Sequence, residues 1–96
     1  MLRHVVLIKF RVDINQEHIE QMAAGFEHLA AAIPVVKALS HGSDLALMEG
    51  SYDYAMTADF DSEKDWSCYR DHADHIAFAQ RFAGLAESAV RVQFKF

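Results

Sequence analysis

The residues with the most chemistry in this 96-residue chain form one run, Tyr69-Arg70-Asp71-His72-Ala73-Asp74-His75. A histidine there can exchange a proton near neutral pH, because its ordinary pKa lies close by. A tyrosine hydroxyl can hold a carbonyl oxygen while charge builds on it. His4, far away in sequence, is a third group of the same kind. The run also invites a metal reading, since His72 and His75 are three residues apart with Asp71 and Asp74 beside them. That reading lacks a cysteine partner and a His-Glu-x-x-His pattern, and the helix carrying the pair is expected to break between them, so no metal is expected. Each residue also has a plainer role open to it. Tyr69 sits at helical spacing from Trp66 and suits a core, His75 suits a helix start, and His4 suits a histidine bonded inside a core. Cys68 has no sequence neighbour that would activate its thiol. His18, His28 and His41 read as surface residues.

The elements that must carry these groups follow from periodicity. Leu2, His4, Val6, Ile8 and Phe10 alternate with Arg3, Val5, Leu7, Lys9 and Arg11, which is the period of a strand. Val5 and Leu7 make its second face apolar at the centre, so cover is expected on both sides. Asn15 is an N-cap, with Ile14 and Ile19 spaced as a hydrophobic staple. Ile19, Met22, Phe26, Leu29 and Ile33 form the buried stripe of a helix that Pro34 ends. Residues 35–41 read as a weaker strand and 42–51 as a loop bounded by Gly42 and Gly50. A third strand runs from Tyr52 to Phe60. Ser62 caps a second helix, which 71–75 interrupts, with Asp74 as the expected cap of a further stretch carrying Phe78, Phe82 and Leu85. Residues 89–96 alternate again, with Val90, Val92, Phe94 and Phe96 on one face. The order strand-helix-strand-strand-helix-strand is the α+β ferredoxin-like βαββαβ arrangement, with a four-stranded antiparallel sheet and both helices on one side.

Nine Lys and Arg stand against 14 Asp and Glu, a net charge of −5. The basic residues are scattered, so neither nucleic acid nor an anionic membrane is an expected partner. No glycine-rich phosphate loop is present, and no cofactor is expected. One cysteine permits no intrachain disulfide, and the opening Val5–Ile8 apolar run is too short for a signal peptide, so a cytoplasmic location is expected. A chain of this size makes one domain, 1–96, with a limited core. A second copy covering Val5 and Leu7 is the expected remedy, which makes a homodimer.

Several stretches together resemble the stress-responsive A/B barrel (Dabb) family. They are His4-Val5-Val6-Leu7-Ile8-Lys9-Phe10, the cap near Asn15, Ile33-Pro34, Phe60-Asp61-Ser62-Glu63, and the run from Tyr69 to Phe78. The resemblance implies a ferredoxin-like protomer whose sheet packs on a second copy in a dimeric α/β barrel. It implies a small-molecule pocket between sheet and helices, and a cofactor-free cyclase or lyase acting on a polyketide-like or apolar carbonyl compound. By the same resemblance, His75 is the base and Tyr69 the donor. His4, Val6, Ile8, Phe26, Met56 and His72 are the expected ligand contacts. A non-catalytic stress-responsive homodimer and a cofactor-free monooxygenase are the alternative functions. One departure is visible: the family often writes His-Pro-Ala-His where this chain has His72-Ala73-Asp74-His75. The fixed backbone angle of the proline is missing, and Asp74 adds a carboxylate.

Overall fold

The computed structural model describes all residues from Met1 to Phe96. Its elements are β1 (Leu2–Phe10), α1 (Gln16–Ala32), β2 (Ala38–Ser43), β3 (Tyr54–Phe60), α2 (Glu63–Asp71), α3 (Ala73–Phe82), a 3-10 turn (Ala83–Leu85) and β4 (Ala86–Lys95). The sheet is antiparallel in the order β2-β3-β1-β4, which is the expected ferredoxin-like topology. The alternation in β1 does what its pattern requires. Leu2, His4, Val6 and Ile8 are buried with Tyr54, Met56, Ala58 and Phe60 of β3, and they meet Met22, Phe26, Leu29 and Ile33 of the first helix.

Asn15 caps α1 as expected, its side chain accepting from the His18 N–H at 3.0 Å. His18 returns the bond, its Nδ1 accepting from the Asn15 N–H at 3.2 Å, so a histidine fills the place usually held by Glu or Gln. The helix ends at Ala32 with Ile33 as C-cap, one residue before Pro34. α1 and α3 approach closely at Gly25. A Cβ there would lie 2.8 Å from ring atoms of both Phe78 and Phe82. That glycine lets the Phe78 ring settle 4.7 Å from the Phe26 ring.

Four boundaries differ from expectation. The second strand is Ala38–Ser43, so Gly42 lies inside it; Val35 and Val36 pack against the core from the turn that follows the helix. The edge strand pairs on one side only, which leaves its pattern weak. The third strand begins at Tyr54, because the Asp53 carboxylate turns aside to accept the Phe10 N–H at 2.8 Å. The fourth strand starts earlier than residue 89, at Ala86, just past the 3-10 turn. The cap of α3 is His72 and not Asp74: His72 Nδ1 accepts from the Asp74 N–H at 3.0 Å. Ala73 is then the first helical residue, where a proline would have fitted without loss of a bond. The break between α2 and α3 therefore survives the missing proline.

Strand β4 turns its apolar alternates away from the helices. The register sets Val90 opposite Leu7 and Val92 opposite Val5, on the face that no helix covers. Leu7, Val90, Val92 and Phe94 are 38%, 45%, 54% and 45% exposed, and together they make an apolar patch on that face. The alternate residues of β4 lie opposite the buried ones of β1: Ala89 opposite Ile8, Arg91 opposite Val6 and Gln93 opposite His4. Polar side chains thus occupy the helix side of this edge strand.

Candidate active site

A cavity of about 540 Å³ lies between the sheet and the helices. Its floor is β1 and β4, its roof α3 and the 3-10 turn, and its inner wall comes from α1, α2 and β3. Val6, Ile8, Phe26 and Met56 form apolar wall, and His4, Tyr69 and His75 line the same space. Seven of the eight residues singled out from sequence are thereby gathered in one place, and His72 is not among them. Its side chain is used as the cap of α3.

The bend between α2 and α3 orients His75. Its Nδ1 lies 2.9 Å from the Arg70 carbonyl oxygen. A carbonyl can only accept, so Nδ1 carries the proton and the neutral ring keeps a lone pair on Nε2. Burial pushes the His75 pKa down, and Arg91 pushes the same way against the Arg70 carbonyl and Asp71. The ring of His75 packs 4.5 Å from that of Tyr69. Tyr69 is buried also against Phe60, and burial holds its hydroxyl protonated, its pKa pushed up to about 12.

His4 is the one buried polar residue of the core, 6% exposed. The Gln93 side-chain amide lies 2.9 Å from its Nδ1. With the amide nitrogen donating, the neutral ring carries its proton on Nε2. Burial, then the nearby His75 and Arg91, push its pKa down to about 4. The two histidines are therefore complementary at neutral pH, one with a free acceptor and one with a free donor. The His4 ring lies 6.2 Å from Tyr69 and 6.0 Å from Trp66.

Sequence reasoning missed Arg70, Phe78, Arg91 and Gln93 as cavity residues, and gave Trp66 a place there only if the core were incompletely filled. Trp66 read as core, yet its buried indole N–H has no hydrogen-bond partner. Arg91 and Gln93 turn inward because the pairing of β4 with β1 sets its apolar alternates on the uncovered face. His41, read as surface, is largely buried instead. Its Nδ1 meets the Tyr54 hydroxyl at 2.6 Å and its Nε2 meets Glu27 at 2.5 Å, tying β2 and β3 to α1 outside the cavity.

Of the groups in the metal reading, His72 uses Nδ1 to hold the Asp74 N–H, Asp71 pairs with Arg70, and Asp74 lies 3.5 Å from His28. No three His, Cys, Asp or Glu side chains converge as a metal site would need. No helix is long and apolar enough to cross a membrane.

The sequence matches the family model of the stress-responsive A/B barrel domain (Dabb) over residues 2–96. The chain belongs to the Dabb family. This Dabb chain is 26% identical over 96 residues to the stress-response A/B barrel domain-containing protein HS1 of Arabidopsis thaliana, covering 98% of this chain and 88% of that protein. Among solved structures it is similar to a dimeric ferredoxin-like protein of unknown function from Thermobifida fusca, with a TM-score of 0.92 and 36% identity over 99% of this chain and 90% of that one. A hydroxynitrile lyase from Passiflora edulis has the same fold, with a TM-score of 0.88 at 23% identity over 97% of this chain and 90% of that one. These relatives share the ferredoxin-like Dabb fold over nearly the whole chain.

Proposed function

We propose that this chain is a homodimeric small-molecule pocket protein that performs cofactor-free acid–base chemistry on an apolar carbonyl compound, as a lyase or cyclase. The observation that carries the reading is the bond from His75 Nδ1 to the Arg70 carbonyl. It leaves Nε2 as an aimed, neutral base beside a tyrosine that stays protonated. In the proposed step, Nε2 takes a proton from a carbon flanked by carbonyls. The bonding pair moves onto one carbonyl oxygen, and the Tyr69 hydroxyl and the His4 Nε2–H hold the enolate. For a cyclase, the enolate carbon then attacks a second carbonyl of the same molecule, and the proton on His75 passes to the new alkoxide. The chain supplies every proton position this sequence uses. Apolar walls favour a substrate whose body is hydrocarbon.

The dimer is supported by the uncovered patch of Leu7, Val90, Val92 and Phe94, and by the dimeric state described for the Thermobifida relative. The test of the chemistry is hydrogen–deuterium exchange at the acidic carbon of long-chain 3-oxo esters, followed by NMR. The wild-type protein should accelerate exchange. His75→Ala should lose about a hundredfold or more of that acceleration while keeping its circular dichroism, and Tyr69→Phe should lose less. Exchange no faster than in buffer, or a His75→Ala protein that does not fold, would remove the proposal.

A further inference from the structure

The cavity that the proposed function relies on has a charge character that the chain as a whole does not. Of 14 Asp and Glu in the sequence, none lines it, although 19 residues do. Two arginines do line it, Arg70 and Arg91. Arg70 is already satisfied: it pairs with Asp71 at 2.9 Å and lies over the Trp66 ring. Arg91 takes part in none of the ion pairs and side-chain hydrogen bonds that occupy Arg3, Arg11 and Arg70. It lies opposite Val6 on the helix side of β4, so its guanidinium stands at the rim of an apolar cavity.

The remaining polar atoms of the cavity add to this. His4 lines it with Nδ1 held by the Gln93 amide, which leaves an Nε2–H to donate. The Tyr69 hydroxyl stays protonated. An unpaired cation, a set of donors, apolar walls and no carboxylate fit one kind of guest.

We infer that the cavity takes an anionic ligand, a carboxylate on an apolar body, with the Arg91 guanidinium as the group that anchors the carboxylate. The inference rests on the pocket reading above and narrows its substrate class to acids. Arginine presents a planar fork that matches a carboxylate with two parallel bonds. Arg91 also sits close enough to His4 and His75 to oppose their charging, so a bound anion would neutralise the field that both histidines feel. Among apolar carbonyl compounds, those ending in a carboxylate would then be chosen over neutral esters and amides of the same shape.

The test uses decanoate and its neutral isostere decanamide. The chain has one tryptophan, and Trp66 lines the cavity, so its emission reports occupancy directly. Wild type should bind decanoate about tenfold or more tightly than decanamide at low salt, with the gap narrowing as salt is added. Arg91→Gln should remove that preference by weakening decanoate alone, and Arg91→Lys should restore most of it. Equal affinity for the two ligands, or Arg91→Gln weakening both alike, overturns the anion inference and leaves the pocket reading standing. Failure of both ligands to perturb Trp66 at millimolar concentration removes the pocket reading and this inference with it.

Discussion

Acid should weaken this protein earlier than its carboxylates can explain, and His4 is the reason. His4 is buried among Trp66, Tyr69 and the sheet, with its pKa pushed down to about 4. In the unfolded chain it titrates near the usual 6.5. Above that value both states hold His4 neutral and it adds no pH dependence. As the pH falls from 6.5 toward 4 the unfolded chain takes up the proton first, so stability drops steadily across that window and levels off below it. At about 1.4 kcal/mol for each pH unit, the loss by pH 4 comes to about 3 kcal/mol. His75 shifts in the same direction and adds to the fall. Asp13, Asp59 and Asp71 are held below the usual carboxylate range by hydrogen bonds from arginines, so they stay ionised through most of the window. The assay is urea denaturation at a series of pH values between 4 and 7.5, on the wild type and on His4→Phe. Phenylalanine keeps a ring against Trp66 and Tyr69, does not titrate, and leaves only the exposed Gln93 amide to water. The variant should lose most of the slope between pH 6.5 and 4. Parallel curves for the two proteins would refute the assignment of that slope to His4.

Three further outcomes follow from the packing. Val92→Asp, placed in the uncovered apolar patch, should shift sedimentation from about twice 10.9 kDa toward the monomer mass; a monomeric wild type would sink the dimer. His72→Ala should cost about 1 kcal/mol in chemical denaturation and His72→Asn much less, because the cap needs only an acceptor for the Asp74 N–H. Gly25→Ala should cost about 1–3 kcal/mol, since its methyl meets two phenyl rings at 2.8 Å. A neutral result there would mean that α1 and α3 are free to separate.

What could be read from sequence tracked how locally each feature is determined. The period-two alternation of β1 and the stripe from Met22 to Ile33 fix burial with no knowledge of the rest of the chain, and both are found as expected. Tyr69, His75 and His4 could be placed near one another through the family resemblance and the parity of β1. The role of His72 was not legible, because whether a histidine caps a helix or faces a cavity depends on a backbone angle that Ala73 does not announce. Arg91 and Gln93 escaped for a different reason. Their side of β4 is decided by pairing with β1, across most of the length of the chain. An apolar alternation on β4 reads most simply as a face turned to its own helices, and here it is the face turned away.

The double character of β4 ties two properties that would otherwise vary independently. Val90 and Val92 hold one face of the strand, and Arg91 and Gln93, one residue out of step, reach the cavity from the other. A slip of one residue along β1 would exchange the two sets, emptying the cavity of its cation and burying charge in the apolar patch. Anything that clasps the patch therefore also pins the register of the cavity's polar groups. By mass action, ligand affinity in dilute solution should then rise with the concentration of the protein itself, and a ligand held by Arg91 should in turn resist dilution of the assembly.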